Sequence, residues 1–303
     1  MNKMVQWVLN LTAGIFFFVF FLFLFFPFES LITNFLGKIE AQSNGAYRIT
    51  VGKIEAGIIF KSVFTDFQLH QVVGGRDDVL LDFPKVKVGL SYLPLIAGTV
   101  KASFEAKGKK GRMEGDLVVS PDEYRLDTEM HGMQFEDIRY LSAWLKLPLD
   151  GALDGTIDLT IYPGQASRNE GIIDLSLKNL KISPTRVTPY PGFDLDLPET
   201  VLSDEKGGAI KIQMKEGKLE LKELTFPGED LILDLKGRIQ LNKKPDLSRL
   251  AINGKFSLSK KMQDALPFVV MIESQKSEDG SYPLTLSGRL NKPRVQIGTF
   301  DLL

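Results

Sequence analysis

The chain has 303 residues, with 37 basic and 38 acidic side chains, a formal net charge of −1 and no cysteine. Near-neutrality leaves no basic excess for a nucleic-acid partner, and the missing thiols exclude disulfides, thiolate metal sites and thiol catalysis. An apolar content of 44% over this length supports one large globular domain or two ordinary ones.

The first predicted element is a membrane anchor over residues 1–30. Nine of the 21 phenylalanines fall between Phe16 and Phe28, and no charge interrupts Val5 to Phe26. A helix of that length spans about 30 Å, the thickness of a bilayer's hydrocarbon core. Val8, Leu11, Ile15, Phe18, Leu22 and Phe25 are among the side chains that would face lipid. A cleaved signal peptide needs small residues at its end, whereas this run ends in Phe25-Phe26-Pro27-Phe28-Glu29. A buried core helix would show a polar face. Lys3 before the run and Glu29 after it favour a cytoplasmic N-terminus, with the bulk of the chain outside.

Residues 31–303 are expected to form a β-rich domain. Leu31, Ile32, Phe35, Leu36 and Ile39 recur at helical spacing, a short amphipathic continuation of the anchor. Beyond it the period becomes two. Ile157, Leu159 and Ile161 alternate with Asp158 and Thr160, and Ile210, Ile212 and Met214 alternate with Lys211 and Gln213. Leu231, Leu233 and Leu235 form a more buried version. Such alternation puts apolar side chains on one sheet face and polar ones on the other.

A unit of Gly, polar, apolar, polar, apolar recurs from Gly52, Gly155, Gly217, Gly237 and Gly254. It predicts a glycine turn or bulge just before each strand. The irregular spacing suits a meander of antiparallel hairpins rather than a solenoid. Helices are expected over Glu136 to Lys146 and Lys260 to Glu273, with a weaker turn over Ser91 to Gly98. The prolines between Pro184 and Asp204 mark either a boundary between two sheet halves or one long surface loop.

The chain carries no motif for catalysis, cofactor binding or metal binding. His70 and His131 stand far apart without an i, i+4 partner, and read as exposed strand residues. Asp194 and Asp196 share one strand face, the geometry of a carboxylate pair, yet lack a partner nucleophile. Lys107, Lys109, Lys110 and Arg112 make a basic turn, either a solvated hairpin tip or a contact for anionic lipid headgroups.

Several stretches resemble a known family. The anchor ending in Phe25-Phe26-Pro27 is followed by Val86-Lys-Val-Gly-Leu-Ser-Tyr-Leu-Pro-Leu-Ile-Ala-Gly, then by Leu147-Pro-Leu-Asp-Gly-Ala-Leu-Asp-Gly-Thr-Ile-Asp-Leu. The closing stretch is Gly280-Ser-Tyr-Pro-Leu-Thr-Leu-Ser-Gly-Arg-Leu-Asn-Lys-Pro-Arg-Val. Together they resemble the type II secretion system protein N family, which is itself similar to the AsmA-like proteins of the Gram-negative envelope. The resemblance implies a single-pass inner-membrane protein whose bulk is periplasmic: a non-enzymatic accessory or scaffold that contacts other subunits of the secretion machine. The AsmA-like relatives imply an alternative, a lipid carrier that holds phospholipid acyl chains on an apolar sheet face. Ile157, Leu159, Ile210, Ile212, Leu233 and Leu235 would form that face. A third, weaker reading is an envelope hydrolase using Asp194 and Asp196. The expected fold is therefore mainly β: an N-terminal transmembrane helix, then a long, curved, mostly antiparallel sheet (a meander, an AsmA-like groove or an open sandwich) with two or three short helices.

Overall fold

The computed structural model describes residues 33, 37, 40–41, 43–56, 61–73, 75–91, 94, 98–190, 193–242, 247–267 and 269–301. It is mainly β with short helices, and nearly all of the strands belong to one sheet of 17 strands. The strands are β1 (Tyr47–Thr50), β2 (Lys53–Ala56), β3 (Lys61–Val73), β4 (Arg76–Ser91), β5 (Val100–Lys107), β6 (Arg112–Val119) and β7 (Tyr124–Gln134). After a helix α1 (Tyr140–Leu145) come β8 (Leu149–Ile161), β9 (Glu170–Ile182), β10 (Thr185–Tyr190), β11 (Phe193–Leu197), β12 (Thr200–Val201), β13 (Gly208–Lys215), β14 (Lys218–Pro227), β15 (Leu231–Gln240) and β16 (Arg249–Leu258). Helices α2 (Lys260–Ala265) and α3 (Val269–Ile272) precede β17 (Tyr282–Arg289), β18 (Lys292–Ile297) and β19 (Phe300–Asp301).

Sequential neighbours pair antiparallel from β3 through β9. β9 then pairs directly with β13, and the meander continues from β13 to β19. β1 and β2 lie end to end on the free side of β3. Among the described residues no pairing joins β19 to β1 or β2, so the sheet is open. β10 and β11 form a separate hairpin between β9 and β12.

Two packed regions fix the sheet. The segment after β7 crosses from Phe135 to Leu149, where Ile138 bridges Leu81 and the Asp82 amide donates to the Asp137 carbonyl at 2.9 Å. Ile138, Leu141 and Leu147 pack there against a core that includes Phe83, Met133 and Phe135. At the other end, α2, α3 and the β10–β11 hairpin cover the last strands. Leu195, Met262, Leu266, Val269 and Ile272 bury themselves with Phe256 and Tyr282, whose rings stack at 5.3 Å. Ser259 caps α2 by accepting from the Met262 amide.

Several expectations need correction. The expected single helix over Glu136 to Lys146 is only six residues long, because Phe135 to Ile138 are spent on the crossing described above. The expected helix over Lys260 to Glu273 is two short pieces interrupted at Leu266 and Pro267, where proline removes a helical donor. Most of the turn expected over Ser91 to Gly98, and Leu31, Ile32, Phe35, Leu36 and Ile39, lie outside the described residues.

The recurring glycine unit also behaves differently. Gly52 and Gly217 do precede β2 and β14, but Gly155, Gly237 and Gly254 sit inside β8, β15 and β16. A Cβ at Gly254 would overlap the Asp234 carbonyl of the neighbouring strand, and one at Gly155 would overlap that of Asp174. These glycines permit close approach of strand backbones, not turns.

The anchored architecture is not supported. Among the described residues no helix is long and apolar enough to cross a membrane. The expected anchor, with Val8, Leu11, Ile15, Phe18, Leu22 and Phe25, lies outside the described residues.

Candidate functional site

The meander's register aligns apolar residues into rows that cross the sheet at right angles to its strands. One row starts at Ile54 in β2 and passes through Phe64, Val86, Ala106, Met113, Met130 and Gly155. It continues through Leu175, Ile210, Leu224, Leu235, Gly254 and Leu284 to Ile297 and Phe300. Every position, from one free edge to the other, is apolar or glycine. This follows from strand geometry: with a side-chain period of two, any slip of one residue would place charges in the row.

Two further rows run beside it. The second passes from Val88 and Phe104 through Gly115, Thr128, Ile157, Ile173, Ile212 and Leu221 to Val295. The third passes from Leu90 through Leu117, Leu126, Leu159, Gly171, Met214, Leu219 and Ile239 to Pro293. Thr128 is the polar exception among the residues named for these two rows; it is buried, and its hydroxyl has no hydrogen-bond partner.

The structure brings all six residues expected on an apolar face together on this one. Ile210 and Leu235 lie in the first row, Ile157 and Ile212 in the second, and Leu159 in the third. Leu233 pairs with Phe226 and Phe256 on the same side of the sheet, towards the helical end. Leu235 is buried, and the other five are half-buried. Over β4 to β7 exposure rises towards the third row and beyond it, where Leu117 is 36% exposed, Leu90 41% and Tyr124 44%, whereas Met214 in the same row is buried. The face is thus sealed along one side by the crossing segment and the helices, and open along the other between β4 and β7.

The opposite face is charged, with cross-strand pairs such as Lys87–Glu105 at 2.7 Å and Lys211–Glu223 at 3.1 Å. Exposed pairs of this kind add little stability but keep the face solvated. The basic turn sits at the β5–β6 hairpin tip and is partly engaged. Lys109 pairs with Glu136 at 2.9 Å, its amide donates to the buried Asp137 carboxylate, and Lys107 lies 3.9 Å from Glu105. Arg112 stands opposite His131 in register, and Lys110 lies in the turn itself.

The carboxylate pair is also engaged. Asp196 accepts from Arg186 at 2.8 Å, which holds its carboxyl below the ordinary value, and Asp194 accepts from Thr188 at 2.6 Å. Neither histidine stands alone. His70 is buried, with Nε2 3.1 Å from Thr50 Oγ1 and Nδ1 2.9 Å from Asp77, so the expected exposed strand residue is a buried one. His131 lies 2.9 Å from Glu129 on its own strand, with Glu114 on the next. Glu129 and His131 are two apart on a strand and so share a face, a signal legible in the sequence. Glu114 joins them only through the β6–β7 register.

No family model, curated protein or solved structure matches the chain. The secretion role, the inner-membrane placement and the single-pass membrane partnership inferred from the resemblance are therefore withdrawn: no similarity supports the role, and no described helix supports the anchor.

Proposed function

We propose that this chain is a non-catalytic binding protein that holds an elongated apolar ligand against the apolar face of its sheet. The observation that carries the proposal is the continuity of that face: the first row runs from edge to edge, and two more run beside it from β4 to β18, with Leu90 and Leu117 of the third exposed. A sheet with one apolar face needs a second layer over it. The crossing segment, the β10–β11 hairpin and the helices supply that layer over part of the face, and a ligand supplies it over the rest. A contiguous exposed apolar patch is a recognised mark of a binding surface. The engagement of Asp194 and Asp196 in ordinary surface bonds supports the non-catalytic part of this reading.

The test is titration of the full chain with an apolar fluorophore such as N-phenylnaphthylamine. Saturable binding is expected, weakened several-fold by Leu90→Ser with Leu117→Ser while the melting temperature holds. Folded protein that binds no fluorophore, or binding indifferent to these substitutions, would sink the reading.

We propose further that the resemblance to the type II secretion protein N and AsmA-like families reflects sheet architecture alone. An experimental structure with a closed barrel or two separate packed sheets would remove that kinship.

A further inference from the structure

Glu114 of β6 and Glu129 and His131 of β7 meet on the charged face, on the side of the sheet opposite the apolar rows. Each offers one ligand atom, and the three atoms lie within 4.8 Å of one another. His131 Nε2 is already 2.9 Å from Glu129 Oε1. Glu114 and Glu129 are directly opposed in register. Like charges so placed destabilise a strand pair unless a cation lies between them. Two of the nearest basic side chains are committed elsewhere. Lys87 and Lys107 engage Glu105 on β5. Arg112 stands opposite His131, not between the two glutamates. Asp154, beyond β7, is held by Lys178 at 3.0 Å and by the Gly132 amide at 2.7 Å.

We propose that Glu114, Glu129 and His131 form a binding site for a divalent transition-metal ion of the Zn2+ type. The donor set selects the class. Hard cations such as Ca2+ and Mg2+ take oxygen donors, while an imidazole beside carboxylates suits Zn2+ and its neighbours. Two ligands two residues apart on one strand and a third from the adjacent strand converge from one face. Three protein ligands leave the fourth tetrahedral position to water. Ligands about 2.1 Å from one Zn2+ sit roughly 3.4 Å apart, so the cluster closes by about an ångström. Glu129 and His131 are exposed, and rotation of their side chains supplies that movement. Binding replaces the Glu114–Glu129 repulsion with a clamp between β6 and β7.

The test is calorimetric titration of chelator-treated full chain with Zn2+, together with melting temperature and the imidazole resonances of His131. One saturable equivalent is expected, with a rise in melting temperature and a shift at His131 Nε2. His131→Ala and Glu114→Gln should each weaken binding about tenfold or more, as losses at metal sites do. The two variants remove different ligands, so misfolding of one leaves the other to decide. Asp116→Asn removes a neighbouring charge that is not a ligand, and should change affinity no more than about threefold by screened electrostatics. No binding would overturn the proposal. So would binding that survives His131→Ala, or that falls as far with Asp116→Asn, since either would make the surface a diffuse acidic patch.

Discussion

Asp230 and Lys261 form an ion pair across 31 residues of chain, joining the β14–β15 turn to the first turn of α2. The Asp230 carboxylate is buried, and it also accepts from the Val201 amide at 2.9 Å and the Ser259 hydroxyl at 3.0 Å. Lys261 donates as well to the Glu199 carbonyl at 2.9 Å. One carboxylate thus ties β12, the β14–β15 turn and the α2 cap together. Burial alone would raise its pKa, but the bonds from Lys261, Val201 and Ser259 together outweigh that and hold it below the ordinary 3.8.

Replacing Asp230 with Asn should cost about 2–3 kcal/mol at pH 7, the loss typical of hydrogen bonds to a buried charge. A folded-state pKa below the unfolded one gives stability that is complete above 3.8 and lost as pH falls through the lowered value. The gap in urea-unfolding free energy between native protein and Asp230→Asn should therefore narrow below pH 3.8. A constant gap across that window would mean that the Asp230 charge does not contribute.

Gly254→Ala should destabilise more than Gly164→Ala. Gly254 lies inside β16, and a Cβ there would run into the Asp234 carbonyl and Leu235 of β15. Backbone cannot yield as a side-chain tip can, so the cost should exceed about 2 kcal/mol. Gly164 has φ of +76° in an open turn with nothing within 4 Å, so only the backbone penalty of about 1 kcal/mol applies. Thermal unfolding of both variants ranks them, and the reverse order would show that the strands can spread at Gly254.

The contrast between these glycines shows where sequence reading stops. Alternation marks Ile157 with Leu159, Ile210 with Ile212 and Leu233 with Leu235 as sharing a face, because a strand's period is local. That these pairs join into rows across the sheet depends on register, which bulges alter at Lys211/Ile212 and between Leu221 and Leu224. The same motif therefore places Gly217 in a turn and Gly254 inside a strand. The buried bonds of Asp230 and Asp137 are also invisible along the chain, since their partners arrive from 28 to 31 residues away.

Leu235→Ala and Leu117→Ala separate the sealed part of the apolar face from its open part. Leu235 is 5% exposed in the first row, and its truncation should cost about 2–4 kcal/mol in transfer and cavity energy. Leu117 is 36% exposed in the third row, and should cost under about 1 kcal/mol. Equal losses in chemical denaturation would mean that the third row is packed as tightly as the first, leaving no open side for a ligand.

Asp137→Asn should behave opposite to Asp230→Asn. Asp137 is fully buried where the crossing segment meets the β5–β6 tip, and among the described residues its carboxylate accepts from the Lys109 amide alone, at 3.2 and 3.3 Å. Burial raises its pKa above 3.8, and nearby Glu136 and Asp82 add to the rise, while the Lys109 amide and ammonium oppose it incompletely. An acid whose folded pKa is raised favours the native state at low pH and loses that advantage as pH climbs from 3.8 through the raised value. Asparagine keeps an acceptor for the Lys109 amide without the buried charge. At pH 7 Asp137→Asn should therefore unfold at the same urea concentration as the native protein or a higher one. A loss there comparable to that of Asp230→Asn would show that Asp137 is held as a stabilising anion.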